Sequence, residues 1–202
     1  MASTASRLDI YNMALGFIGT GTIGSPNERR PEAIQCDLYW DRARRAALRD
    51  YPYSFARRRV QLAEKPLPDV YEEQWHHAYA WPEKCIKVVR MIRNGREVFC
   101  NPDFVVRNEG SENIILTDVE VAQAEIVVDQ EDISLWDDLF VLAMARKLAA
   151  MVCVPLLKNN QAKLQELEQL YQLAIPKADG QDASERRQHR KPDGWLLVRG
   201  GW

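Results

Sequence analysis

The sequence predicts an α+β fold: a four-helix-type bundle interrupted by a small antiparallel β domain, with an extended C-terminal arm. Three observations carry this. Apolar residues recur every three or four positions in two stretches near the N-terminus and in two more after residue 132, the spacing of amphipathic helices. Between the two pairs the period falls to two, and Asn94-Gly95, the strongest short hairpin signal, lies in that region. After Ser184 the chain turns polar and basic and ends in two aromatic-apolar clusters. The boundaries that follow are 1–52 for the first helix pair, 53–132 for the β domain, 133–183 for the second helix pair and 184–202 for the arm.

Leu8, Tyr11, Leu15 and Ile18 mark a first helix from about Ser6 to Ile18. Gly19 to Asn27 is a glycine-rich loop. Pro31, suited to a first turn, opens a second helix that runs to about Asp50. On it Cys36, Trp40, Ala43 and Ala47 share one face, while Arg42, Arg45 and Arg49 share another. Pro52 ends this helix, because proline pushes the residue before it out of the α region. Phe55 to Leu62 then reads as a strand, with Ala56, Val60 and Leu62 on one side and Phe55, Arg57 and Arg59 on the other.

Pro66 and Pro68 fall in a loop without periodicity. Ile86, Val88 and Ile92 alternate with more polar neighbours, and the Asn94-Gly95 turn returns the chain along Glu97 to Cys100. Phe104–Arg107, Asn113–Thr117 and Ala124–Asp129 complete the antiparallel set. Ser134-Leu-Trp-Asp137 reads as a capping box that starts a third helix, with Leu135, Leu139, Leu142, Ala149 and Val152 inward and a stop near Pro155. Leu164, Leu167, Tyr171 and Ala174 mark a fourth helix, which Pro176 kinks or ends; Gly180 weakens any continuation.

Composition narrows the function classes. A net charge of −2 gives no global attraction to nucleic acid or membrane, so such a role must rest on local patches. No run of about 18 apolar residues is visible, so no transmembrane helix is expected. The N-terminus lacks a basic region followed by an apolar core, so no signal peptide is expected. Cys36, Cys85, Cys100 and Cys153 show no paired spacing, which suits free, mostly buried thiols in a reducing, cytosol-like compartment.

Several motifs invite chemical readings. Gly19-Thr-Gly21-Thr-Ile-Gly24 matches a dinucleotide fingerprint in letters, but a helix precedes it and the next helix starts too late to meet a pyrophosphate. An interhelical loop is expected instead. His76 and His77 are adjacent, so in a strand they point to opposite faces and do not share a metal. Glu131-Asp132 and Asp137-Asp138 sit where acids serve a helix N-terminus rather than face each other across a cleft. No nucleophile elbow is present. Neither a catalytic residue, a cofactor nor a metal is expected.

Two features point to binding. Arg42, Arg44, Arg45, Arg49, Arg57, Arg58 and Arg59 crowd into 18 positions, as a face salt-bridged to Asp37, Asp41 and Asp50, as a contact for phosphates, or as a contact for an acidic protein neighbour. The arm carries Arg186, Arg187, Arg190, Lys191 and Arg199 against Glu185 and Asp193, a local net of +3, with Trp195, Leu196, Leu197, Val198 and Trp202 as anchors. Segments of this kind order on a partner surface.

Three blocks in order resemble a known family. LDIYNMALGFIGTGTI followed by RRPEAIQCDLYWDRARRAALRDYPYSFARRRVQLA, then HHAYAWPEKCIKVVRMI, then Trp136 to Ala149, are similar to the tail tubular protein A family of short-tailed bacteriophages. The resemblance spans roughly Leu8 to Ala178. Tyr53 departs from it, standing where a tryptophan is common, as does Pro176, which interrupts the fourth helix. It implies a non-enzymatic virion protein of the tail or neck, present in host cytoplasm during assembly. Such a head-to-tail adaptor forms a homo-oligomeric ring, expected to be a dodecamer. The ring joins the portal protein above to the tail nozzle protein below and surrounds the DNA path without sequence-specific binding or membrane contact. On that reading Arg42, Arg45, Arg49, Arg186, Arg187, Trp195, Leu196, Leu197 and Trp202 meet the portal or a neighbouring subunit. Asn94 and Gly95 meet the nozzle. Competing readings are a tail component that hydrolyses polysaccharide and a small DNA-binding module using the Arg42–Arg59 cluster.

Overall fold

The computed structural model describes residues 5–93, 96–97, 104–158 and 160–175. Among these residues helices α1 (Arg7–Ile18) and α2 (Pro31–Asp50) come first, followed by eight strands and then α3 (Asp138–Leu156) and α4 (Gln161–Gln172). The strands are β1 (Arg57–Gln61), β2 (Glu64–Lys65), β3 (His77–Ala80), β4 (Cys85–Arg93), β5 (Arg96–Glu97), β6 (Phe104–Glu109), β7 (Glu112–Thr117) and β8 (Gln123–Val128). The chain is therefore α+β with two antiparallel sheets, ordered β1-β8-β4-β5 and β2-β3-β7-β6.

Local chemistry sets the helix ends. Ser6 caps α1 in a reciprocal box: its hydroxyl accepts from the Asp9 amide at 3.2 Å, and the Asp9 carboxylate accepts from the Ser6 amide at 2.8 Å. Gly19 closes α1 at φ +79°, a left-handed conformation that glycine adopts without steric cost. Pro31 occupies the first turn of α2, and Cys36, Trp40, Ala43 and Ala47 are buried, as their spacing predicts. Helix α3 starts later than the Ser134 reading allows. Asp132 caps a 3₁₀ turn over Ile133–Leu135, and Asp137 then caps α3 by accepting from the Phe140 amide at 2.6 Å. Leu135 is consequently exposed, and the inward face is Phe140, Met144, Leu148 and Val152. Pro155 falls within the last turn of α3, and α4 ends at Gln172, four residues before Pro176.

Helix α3 packs against α1, α2 and α4, which explains its near-uniform apolarity. Its 19 residues, with a mean hydropathy of 1.9 over the most apolar 18, would suit a membrane by length and composition, but more than half of that window is buried inside the fold. Its adjacent charges break the apolar run, and both are used within the fold. Arg146 donates to the Leu170 carbonyl at 2.8 Å, and Lys147 reaches Asp50 at 3.1 Å.

The two sheets face each other across Leu62, Tyr79, Val88, Met91, Ile115 and Ile126. Tyr79 ties the β7–β8 connection by donating to the Val119 carbonyl at 2.8 Å. Ile86 and Val127 point the other way, from the first sheet into the helices. Irregular pairing in β4, between Cys85 and Lys87 and between Val88 and Arg90, shifts its register against β8.

Three strand assignments change. Phe55 belongs to a 3₁₀ turn over Ser54–Ala56, so β1 begins at Arg57. Strands β2 and β3 lie where the sequence shows no period. The segment between them lays Leu67, Tyr71 and Trp75 over Ala78, Ile114 and Leu116, on the outer face of the second sheet. In the first sheet Arg93 pairs with Arg96, which leaves two connecting positions; Asn94 and Gly95, like Cys100 on the expected returning strand, lie outside the described residues.

Aromatic side chains join the helices to the sheets. Tyr11 meets Trp40 edge-on at 5.3 Å, Trp40 stacks on Trp136 at 5.8 Å, and Trp136 meets Phe140 edge-on at 4.8 Å. Phe140 then touches Tyr53 at 4.8 Å and Phe55 at 5.1 Å, at the entrance to β1. Trp136 is fully buried, and its indole N–H donates to the Gln130 carbonyl at 3.1 Å. Replacing Trp136 with Ala should lower unfolding free energy by about 3–5 kcal/mol in a denaturant titration. A loss below about 1 kcal/mol would mean that the ring is peripheral to the core.

Candidate functional site

The arginine-rich segment divides once it is folded. Arg42, Arg45 and Arg49 recur at helical spacing and lie exposed along α2, as predicted. Arg44, one step round, is buried at 6% exposure. Its guanidinium forks onto Asp129, just beyond β8, at 2.8 and 3.2 Å, and it also donates to Asp41 at 2.7 Å. Burial works against the Arg44 charge, but Asp129, with Asp41 and Glu131 nearby, outweighs it and holds the group above its ordinary pKa. Arg45 reaches the second Asp129 oxygen at 3.5 Å.

A second cluster forms on the first sheet. Glu125, in the middle of β8, accepts from Arg57 on β1 at 3.1 Å and from Arg90 on β4 at 2.7 Å. Arg58 and Arg59 remain exposed beside it, and together these side chains line a polar recess of about 340 Å³. The expected acid partners are only partly right. Asp41 serves Arg44, but Asp37 pairs with Arg7 at 2.6 Å and Asp50 with Lys147 and Tyr171. Arg186, Arg187, Trp195, Leu196, Leu197 and Trp202 lie outside the described residues.

A further surface has no counterpart in the sequence reading. Tyr39 of α2, Ala150, Met151 and Val154 of α3, and Leu164 of α4, with Leu173 just beyond it, line an apolar groove of about 1180 Å³. Val154 is 40% exposed there and Leu173 65%, high values for large aliphatic side chains sharing one groove. Their spacing alone does not reveal it, because three helices must assemble before the groove exists.

The motifs with chemical readings have local duties. In the glycine-rich loop, Asn12 holds the Ile23 amide at 2.9 Å and its carbonyl at 3.1 Å. The Gly24 amide donates to Glu28 at 2.7 Å, so these amides serve the loop itself, and α2 begins only at Pro31. His76 contacts Asp118 at 2.7 Å and His77 contacts Glu64 at 3.2 Å, so the two rings serve separate carboxylates. Asp132 and Asp137 act as caps. Among the described residues no group of three or more His, Cys, Asp or Glu is placed to hold a metal ion. Burial pushes the Cys36 thiol up to about 12 and the Cys85 thiol to about 11, and raises Cys153.

Two outcomes follow from this geometry. Asp129→Ala leaves the buried Arg44 charge without its main partner and should cost about 3–5 kcal/mol in chemical denaturation, whereas Arg45→Ala should stay within about 0.5 kcal/mol. Equal costs would show that Arg44 is not the anchor. In a Cys100→Ser variant, native protein at pH 8 should titrate no fast-reacting thiol with a disulfide reagent, because Cys36, Cys85 and Cys153 are buried and protonated. A rapid equivalent of released thiolate would contradict that assignment.

No protein-family model matches the chain, and no curated protein matches it.

Proposed function

We propose that the protein is a structural, non-enzymatic virion component: a head-to-tail adaptor that forms a ring beneath the portal, joins it to the tail nozzle and surrounds the DNA exit path. On this reading residues 1–52 and 133–183 form a four-helix-type bundle, residues 53–132 an inserted β domain, and residues 184–202 an extended arm that meets the portal. The ring is a dodecamer, contacts no membrane and binds DNA without sequence preference.

One observation carries the reading. The helices present two unlike surfaces, an arginine row on α2 and an apolar groove spanning α2, α3 and α4. A ring subunit needs two different patches, because each copy meets its neighbours through heterologous contacts. Arginine and aromatic anchors are the usual currency of such surfaces. The sequence resemblance supplies the identity of the neighbours, and the Asn94-Gly95 turn is assigned to the nozzle side on the same ground.

Mixing the purified protein with the portal ring from the same genome should give an added layer with portal-matched symmetry in electron micrographs. Deleting Ser184–Trp202 should leave the folded core's circular dichroism spectrum intact but strip that layer. Folded, full-length protein that never decorates the portal would sink the adaptor reading. A normal layer from the truncated protein would remove only the arm from it.

A further inference from the structure

The groove between α2, α3 and α4 asks for an occupant. Ala150, Met151, Val154, Pro155 and Leu164 form its aliphatic part, beside Gln165, Gln169 and Gln172, and exposed Leu173 lies two residues before the described chain ends at Ile175. Twenty-seven residues follow. Within them the large apolar side chains are confined to Trp195-Leu-Leu-Val198 and Trp202. We propose that the groove seats the Trp195–Val198 segment of the same chain.

Reach permits it. Nineteen residues separate Ile175 from Trp195, and extended chain of that length spans about 65 Å, several times what a return to the rim requires. Charge favours it as well. Glu168 lines the groove and has no ion-pair partner among the described residues, while the stretch from Arg186 to Lys191 is strongly basic. Anchor chemistry fits, since a tryptophan with flanking aliphatics suits an aliphatic floor better than a polar peptide does.

Tethering selects the same chain over a second copy. A covalent tether that can span the distance gives an effective concentration on the order of millimolar, well above micromolar protein in dilute solution. Lengthening the closed loop costs little, because closure entropy grows only with the logarithm of its length. The docking therefore holds for the free chain whether or not it builds a ring. In an assembly the anchors reach another surface only after leaving the groove.

Photo-crosslinking of the full-length protein tests this. Leu197 is replaced by p-benzoylphenylalanine, and chains carrying light and heavy nitrogen are mixed at micromolar concentration, irradiated and mapped by mass spectrometry. The expected result is cross-links from position 197 to peptides covering 150–155 and 164–173, within chains of a single isotope. Cross-links between isotopes, cross-links concentrated elsewhere, or none would each overturn the proposal. Adding Val154→Glu places a charge on the floor and should cut the groove cross-links by about tenfold or more. Unchanged yield would count against the groove. If circular dichroism shows that Val154→Glu unfolds, Leu173→Glu at the more exposed rim serves in its place and is read in the same way.

Discussion

The run of aromatic contacts from Tyr11 through Trp40, Trp136 and Phe140 to Tyr53 and Phe55 holds the rest of the structure in place. Its members come from α1, α2, the approach to α3, α3 itself and the entrance to β1. Each pair adds about 0.5–1.5 kcal/mol beyond the area it buries, and no two neighbouring members can shift independently in a close-packed interior. The helices and the first sheet thus share one core, because Ile86 and Val127 project from that sheet into the same cluster.

Polar contacts refine what the aromatic run fixes. Asp129 receives the Arg44 fork at the point where β8 leaves the sheet, so the end of a strand is clamped to the middle of α2. A buried ion pair of this sort adds little net stability compared with an apolar pair, but it penalises every arrangement that separates its partners. Its service here is orientation: it sets the rotation of α2, and that rotation turns Arg42, Arg45 and Arg49 outward. The Glu125 bridge does similar work within the first sheet, holding Arg57 and Arg90 from opposite sides of β8.

Much of this was legible wherever burial follows period alone. Trp40, Ala43 and Ala47 announce the inner face of α2, and Pro31 and Pro52 bracket it. The exposed arginine row needed no tertiary information, since solvent is its default surrounding. Composition groups Arg44 with the wider arginine cluster, although it lies four residues after Trp40 and three before Ala47, on the buried stripe. An arginine on an apolar stripe is the mark of a buried cation held by a partner. Strands β2 and β3 are not legible, because two and four residues show no dependable alternation; β3 is paired by β7, and β2 in turn by β3. Gly110-Ser111 is a further turn signal in the sequence: Gly110 has φ +63° between the paired Glu109 and Glu112. Ser134 misplaced the start of α3 because Asp132 and Asp137 compete for the same capping role, and spacing alone does not rank them. The groove was beyond sequence reading, being a property of three helices at once.

The central position of α3 has a consequence for biosynthesis. Helices α1 and α2 find their main helical partner only after the whole strand region has been made, since they pack chiefly on α3 rather than on each other. At about 5–20 residues per second, the ribosome needs roughly 5–20 seconds to add the segment between them. Throughout that interval the Trp40 face of α2 has no α3 to cover it. A nascent chain in this state is a natural client for a holding chaperone, and synthesis rate, rather than native stability, becomes the quantity that governs how much soluble protein a cell recovers.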